Sequence, residues 1–422
     1  MAMGDKVKVK TKDKEFIGTF MPDSINNRLV LKLESGYNLG IDKKKIKSIK
    51  VLEKAKVKKN SSKKVKQNSK LPSISILHTG GTIASKVDYE TGGVVARFTP
   101  EEILENVPEL KKIANIKARL IGNIWSGDMR FGHYNWIAKE VEKEIKKGVE
   151  GVIITHGTDT MHYSSAALSF MFENLPIPVV FVAAQRSSDR GSSDAAMNLI
   201  CASQFITKTD YKGVCICMHK SMDDKSCLIM PGVKSKKLHT SRRDAFQIVN
   251  DKPLCEIDKK GTVLDGKSKF DQSPGRFEIK FIKENLKIGI LKAHPNLHPD
   301  EIKCYTNFDG LILEGTGLGH FSIDKIDKFS SLNDRVFGEI KRLSKKIPLV
   351  MTSQAVFGRV NMNVYSYGRK LQEFVISGED MLSEVAFVKL AYLLSNYKKD
   401  VWKMMQEDLR GEINSRISDE FL

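Results

Sequence analysis

Several features are scarce in this sequence, and each absence excludes something. No apolar run in the 422 residues approaches the ~20 that a membrane-spanning helix needs. The longest, such as Pro178 to Ala184, have the length of a buried strand. The N-terminus reads MAMGDKVKVK, without the apolar stretch of a secretory signal, so a cytoplasmic protein is expected. Six cysteines (Cys201, Cys215, Cys217, Cys227, Cys255 and Cys304) occur without C-x-x-C spacing, which predicts reduced, mostly buried thiols. Cys215 and Cys217 share one face of a strand, but two thiols alone do not make a zinc site. His156 and His162 stand six residues apart, on different faces of any helix, and no other histidine pair has ligand spacing. No metal is expected.

Acidic residues are also scarce, but only at one end. Residues 1–70 hold 20 basic and 7 acidic side chains, a charge of +13 out of the chain's +18. The remaining 352 residues are nearly neutral, with 49 basic and 44 acidic. A uniformly basic nucleic-acid coat is therefore excluded. At 41% hydrophobic and 28% charged, the chain has the composition of a folded globular protein. The near-neutral body is long enough for about two ordinary domains, with the basic segment as a third.

In that segment, Val7, Val9 and Thr11 alternate with Lys6, Lys8, Lys10 and Lys12, the period of a strand with one face in water. Short strand-like runs follow at Glu15–Phe20, Arg28–Leu33, Tyr37–Ile41 and Ile46–Leu52, separated by turn residues. Residues 1–52 thus predict a small SH3-like β-barrel. Residues 53–70, rich in Lys, Ser and Asn, read as a basic linker. From Leu71 strands and helices alternate. Ser73–His78, Gly151–Thr155, Val179–Ala183 and Gly213–Met218 read as buried strands, and Phe131–Lys147, Met161–Glu173 and Asp194–Thr207 as helices. This alternation predicts a larger, doubly wound α/β domain over 71–270, with ligands at the carboxyl ends of its strands. A smaller C-terminal α/β domain is expected over 271–422. Its expected strands are Lys287–Leu291, Gly310–Leu313 and Leu349–Thr352, with helices at Asp334–Lys345, Asp380–Ser395 and Asp400–Leu409.

Two segments carry candidate chemistry. HTGGTIAS, His78 to Ser85, runs an apolar strand into paired glycines. Glycines there permit positive φ and close approach of a ligand to the main chain. Thr82 would then stand at the sheet's edge, where its hydroxyl could act as a nucleophile if a base reached it. The same residues also fit a plain Gly-Gly turn with Thr as a helix cap. In the second segment, Gly151 to Leu168, Thr158 and Asp159 again follow a buried strand. Asp159 could hold a substrate ammonium or orient a proton relay, or Asp159 or Thr160 could simply cap the next helix.

TGGTIAS and THGTDTM together resemble the paired signatures of the asparaginase/glutaminase amidohydrolases. The likeness extends through WSGDM (Trp125–Met129) and AAQRSSDRGSSDAAMNL (Ala183–Leu199). KLHTSRRDAF (Lys237–Phe246), GRVNMNVYSYGRKL (Gly358–Leu371) and the basic N-terminal segment resemble a narrower group, the D subunits of archaeal-type glutamyl-tRNA(Gln) amidotransferases. This resemblance implies an asparaginase-like two-domain α/β body in a cytoplasmic amidotransferase. It implies Thr82 as nucleophile, Thr158 and Asp159 as the second Thr-Asp pair, and Lys237 as the lysine bonded to that second Thr. Ser126 and Asp159 would take the carboxylate and ammonium of glutamine. Backbone N–H groups around Gly81, Thr82 or Ala184 would face the oxyanion. Tyr89, seven residues past Thr82 and just before Gly92-Gly93, is the candidate lid tyrosine; base duty stays open between Tyr89 and Lys237. The implied partners are an E subunit that uses ATP and Mg, Glu-tRNA(Gln) through the complex, and a second copy of this chain within a heterotetramer. No cofactor is expected on this chain, and no membrane.

Other patterns point to plainer readings. GTVLDGKS, residues 261–268, satisfies the phosphate-loop pattern G-x-x-x-x-G-K-[ST]. It follows Glu256-Ile257-Asp258-Lys259-Lys260 instead of a buried apolar strand, so a hairpin or linker is expected there. Ser241-Arg242-Arg243 could contact phosphate or a partner, or be a solvated turn. Two rival functions remain, a free-standing L-asparaginase with a fused β-barrel and an RNA-binding protein on an inactive amidohydrolase fold. Intact Thr82, Thr158, Asp159 and Lys237 argue against the second.

Overall fold

Alternating lysine and valine gives β1 (Lys6–Thr11) one dry face: Val7 and Val9 are fully buried while Lys10 stays exposed. The computed structural model describes residues 5–21, 28–33, 38–54, 68–81, 85–87, 94–96, 107–186, 193–266, 269–270 and 275–417. β2 (Glu15–Met21), β3 (Arg28–Lys32), β4 (Asn38–Asp42) and β5 (Ile46–Glu53) complete an antiparallel sheet in the order β4-β3-β2-β1-β5. Register shifts along the β1–β5 pairing bend this sheet around a small core of Val7, Val9, Leu29, Leu31 and Ile41.

The chain continues through β6 (Ser73–His78), a ribbon of β7 (Ser85–Val87) and β8 (Val94–Ala96), β9 (Asn115–Leu120), β10 (Gly151–Thr155) and β11 (Phe172–Glu173). After β12 (Pro178–Val182) and β13 (Gly213–His219) come β14 (Ser226–Pro231), a ribbon of β15 (Ser235–Lys237) and β16 (Phe246–Ile248), β17 (Cys255–Asp258) and β18 (Val263–Gly266). Eight of these strands form one sheet, ordered β18-β17-β14-β13-β12-β10-β6-β9. Its centre is parallel and reads as continuous apolar runs; all five residues of β10 and of β12 are buried. The helices α1 (Leu110–Ile113), α2 (Phe131–Lys146), α3 (Met161–Met171) and α4 (Ala195–Lys208) accompany it.

A second, parallel sheet has the order β20-β21-β22-β23, from β20 (Ile288–Lys292), β21 (Gly310–Gly315), β22 (Leu349–Ser353) and β23 (Ile376–Ser377). Around it lie α5 (Pro299–Lys303), α6 (Asn333–Ser344), α7 (Ser366–Leu371), α8 (Ser383–Asn396) and α9 (Val401–Met405). The two α/β units share one core. Met161, Leu168 and Phe170 of α3 belong to the same buried cluster as Val385, Leu393 and Tyr392 of α8, and Phe170 stacks on Tyr392 at 5.9 Å. Between the units, β19 (Glu278–Ile279) pairs with β11 of the larger one, so the chain is tied down as it crosses.

Three differences from the sequence reading have physical causes. The helix expected over Met161–Glu173 ends at Met171, because Phe172 and Glu173 turn into β11 and pair with β19. The helix expected from Asp380 starts at Ser383, because the Asp380 carboxylate is buried against Lys234 Nζ at 2.6 Å and the Asn414 amide at 3.0 Å. The phosphate-loop pattern falls on a turn at Gly261 and on β18, an edge strand antiparallel to β17, with Lys267 and Ser268 outside the described residues. No helix among the described residues is long and apolar enough to cross a membrane.

Lys389 of α8 and Glu412 form a fully buried ion pair at 2.5 Å, and Lys389 also donates to the carbonyls of Met405 and Glu407. Lys389→Met strands that carboxylate and is expected to lower stability by about 3–5 kcal/mol in urea unfolding. An unchanged urea midpoint would show that the pair does not hold the C-terminal segment.

Candidate active site

The site is built where three backbone segments cross without room for side chains. β6 ends in Thr79-Gly80-Gly81, and both glycines have positive φ, +128° and +88°. A Cβ on Gly80 would lie 2.4 Å from the Ile124 carbonyl oxygen, and one on Gly81 2.6 Å from the Gly157 nitrogen. Thr79 fixes the turn: its N–H and Oγ1 both donate to the Thr155 carbonyl, at 3.1 and 3.0 Å, and its own carbonyl accepts from the Ile124 amide. Gly80 and Gly81 therefore lie at the carboxyl edge of the parallel strands, beside the residues that follow β10. The next residue, Thr82, lies outside the described residues, as does Tyr89.

The structure brings Thr158, Asp159 and Lys237 together. Thr158 and Asp159 follow β10, and Lys237 ends β15, 78 or more positions later in the chain. Lys237 Nζ donates to Thr158 Oγ1 at 2.8 Å and to Asp159 Oδ1 at 2.7 Å. Thr158 and the lysine are largely buried while the Asp159 side chain is 71% exposed, so Asp159 faces the solvent side of the cluster. The β15–β16 ribbon aims the lysine: Lys237 pairs with Phe246, which is fully buried and meets the His162 ring edge-on.

Neither candidate cap serves as one. The helix α3 starts after Thr160 with no side-chain cap; Thr160 Oγ1 instead donates to the Ser126 carbonyl at 2.5 Å. Ser126 is buried in a tight turn over Ser126–Asp128, its Oγ 2.8 Å from where a Gly157 Cβ would stand. The exposed Arg242 pairs with Asp244 at 2.8 Å, while the buried Arg243 reaches Asp224 at 2.9 Å, so both guanidinium groups are held by carboxylates of this chain.

Sequence reasoning missed Asp194. Its fully buried carboxylate accepts from the backbone N–H of Gln185, at 3.0 and 3.1 Å, and of Arg186 at 3.0 Å. This fixes the loop after β12 that carries Ala184; the only signal was an Asp immediately before the helix α4. Burial raises its carboxyl above the usual range.

The histidines near the site are packing residues. His156 bonds the Gly157 carbonyl at 2.7 Å and the Ser164 hydroxyl at 2.9 Å, while His78 bonds the Thr155 hydroxyl. Burial pushes His78, His156 and His162 down to about 4, with His156 adding to the effect on His78. Among the described residues no group of three or more His, Cys, Asp or Glu is placed to hold a metal.

Three family models match the chain: the asparaginase N-terminal domain over residues 73–269, the glutaminase/asparaginase C-terminal domain over 287–405, and the GatD N-terminal domain over 1–52. It is similar along its whole length to the glutamyl-tRNA(Gln) amidotransferase D subunit of Methanococcus maripaludis, 43% identical with 99% of both chains covered. It is likewise 46% identical to the D subunit of Archaeoglobus fulgidus, covering 97% of this chain and 95% of that one. The chain belongs to the glutamyl-tRNA(Gln) amidotransferase D-subunit family. Its body has the asparaginase fold: the thermostable L-asparaginase of Thermococcus kodakarensis superposes with a TM-score of 0.71 at 29% identity, covering 82% of this chain and all of that one. The L-asparaginase I of Vibrio cholerae gives 0.66 at 28% identity, covering 82% of this chain and 99% of that one.

Two outcomes follow for this D-subunit family member. Gly81→Ala forces a Cβ into the Gly157 backbone and a strained φ, so it is expected to abolish activity and lower thermal stability; wild-type behaviour of both would show that the crossing has slack. His78, His156 and His162 are held neutral when folded but take protons near 6.5 when unfolded. Their stabilising contribution is therefore complete above pH 6.5 and lost as pH falls toward 4. Three such protons give a limiting slope of roughly 4 kcal/mol per pH unit. A urea midpoint that stays flat from pH 6.5 to 4 would contradict this.

Proposed function

We propose that this chain is the glutaminase subunit of a tRNA-dependent amidotransferase, which hydrolyses L-glutamine to glutamate and ammonia. The observation carrying the chemistry is the contact from Lys237 Nζ to Thr158 Oγ1, beside the glycine turn that leads into Thr82. An amide is a poor electrophile, so an attacking hydroxyl must lose its proton as it bonds. In this reading Thr82 Oγ1 attacks the side-chain amide carbon, and its proton passes to the Thr158–Lys237 pair. The oxyanion forms against backbone N–H groups around Gly81, Thr82 or Ala184. The leaving nitrogen takes the proton back and departs as ammonia, leaving an ester on Thr82 that water then hydrolyses.

Ser126 and Asp159 would bind the amino-acid end, and Tyr89 would close over it. The exposed Asp159 carboxylate suits an ammonium arriving from solvent. Glutamine differs from asparagine by one methylene, worth only about 1–3 kcal/mol of discrimination in a pocket.

The ammonia would pass to a partner, the E subunit, which would use ATP and Mg to activate the glutamate of Glu-tRNA(Gln). Two copies of each chain would form the assembly, a heterotetramer in the cytoplasm. Division of labour fits residues 261–266, which form the turn and second strand of the antiparallel β17–β18 hairpin. The +13 carried by residues 1–70 would lie near the tRNA or an acidic face of the partner. A free-standing L-asparaginase is the weaker reading, since full-length similarity of 43–46% is to proteins named as amidotransferase D subunits.

The chain is to be purified with and without the E subunit and assayed for ammonia release from glutamine and asparagine. Glutamine hydrolysis stimulated by the partner, Glu-tRNA and ATP is expected, with Thr82→Ala lowering it on the order of 1,000-fold or more. Hydrolysis indifferent to all three additions would leave the asparaginase reading. Removing residues 1–70 should weaken tRNA binding by the complex and flatten its salt dependence. Unchanged affinity and salt slope would make that segment a solvated face only.

A further inference from the structure

The three lysines around β15 have three different destinations. Lys237 reaches Thr158 and Asp159. Lys234, just ahead of the strand, is buried against Asp380 of the smaller unit at 2.6 Å. Lys236 points to Glu384, in the first turn of α8 in the same unit, with Nζ–Oε1 at 2.7 Å. The same Glu384 oxygen lies 4.0 Å from Nε2 of His162. His162 is the second residue of α3, the helix that opens just after Thr158 and Asp159.

One carboxylate of the smaller unit therefore touches both arms of the site: the residue before Lys237, and the first turn of the helix behind Thr158. All three side chains are mostly shielded, at 13% exposure for Glu384, 21% for Lys236 and 7% for His162. Such shielding leaves little water to screen the Lys236–Glu384 ion pair, against which the neutral His162 ring packs. Ser383, the residue before Glu384, is itself held by Glu314 Oε1 and Thr352 Oγ1, each at 2.8 Å. The carboxylate is thus presented on a fixed backbone.

We propose that Glu384 is a positioning residue for the Lys237–Thr158 pair, acting through Lys236 and the first turn of α3 to set the distance between the two arms. The proposal rests on the amidohydrolase reading above. It makes the smaller unit part of the catalytic machinery's support, and it offers a path by which a partner bound to that unit could tune glutamine hydrolysis. A small displacement of a proton-relay pair is enough to slow turnover strongly while leaving substrate binding alone.

The test uses the full-length chain in its assembled complex, measuring kcat and KM for glutamine. Glu384→Gln and Lys236→Met should each lower kcat about 10–100-fold, with KM changed less than about threefold. Because both break the same ion pair, the double variant should be no slower than the slower single one. Glu384→Asp, which keeps the charge, should recover part of the loss. Wild-type kcat in both single variants, or losses that multiply in the double variant, would overturn the proposal. So would a loss that follows melting temperature alone. If Glu384→Gln fails to fold, Lys236→Met with wild-type kcat overturns it by itself. Thr82→Ala, run alongside, separates the two claims: full activity in that variant defeats the amidohydrolase reading, whereas its inactivity beside unimpaired Glu384 and Lys236 variants defeats only the positioning role.

Discussion

Backbone crowding at three glycines governs this molecule. Gly80, Gly81 and Gly157 let the ends of β6 and β10 and the turn before α2 approach until any added Cβ would collide with main chain or with Ser126. That contact brings the residues after two buried parallel strands to one edge of the sheet. Hydrogen bonds from Thr79 to Thr155 and from Ile124 to Thr79 then hold the crossing in a single arrangement. The candidate site hangs on this frame, Thr158 and Asp159 directly and Lys237 by a ribbon packed against α3.

The basic N-terminal segment and the catalytic body obey different electrostatic demands. A site for a zwitterion of modest size needs local charge, such as the exposed Asp159 carboxylate, and no large net field. The small antiparallel sheet has the opposite character, with lysines on the wet face of β1 and a core of only five buried side chains. Concentrating charge there keeps the larger sheet free of long-range repulsion while leaving a surface suited to a polyanion.

Much of this was legible in the sequence because it rests on local necessity. Paired glycines after an apolar strand have few uses, and two Thr-bearing strand ends in one sheet point to one edge. The apolar runs of β10, β12 and β13 declared a parallel core. β14, β17 and β18 were harder to see, because an antiparallel extension of a parallel sheet leaves no strand–helix alternation to follow. Asp380 looked like a helix start by residue type, yet its partner Lys234 lies 146 positions away and takes its carboxylate. Glu384 was invisible for the same reason: its meaning comes from Lys236 and His162, which only the shared core of α3 and α8 brings near. Thr82, Thr158 and Asp159 stood out from their neighbours in the chain, Lys237 came only with the family resemblance, and support from the second unit required the fold.

The central claim is that the glycine crossing delivers Thr82 as nucleophile to a proton-accepting Thr158–Lys237 pair. The most direct measurement is peptide mapping by mass spectrometry after treating the assembled complex with an electrophilic glutamine analogue that alkylates or acylates the attacking hydroxyl. The account predicts one modified residue, Thr82, with labelling slowed on the order of 100-fold or more in Lys237→Met. Label on Thr158 instead, or labelling of Thr82 at the same rate without the lysine, would contradict it.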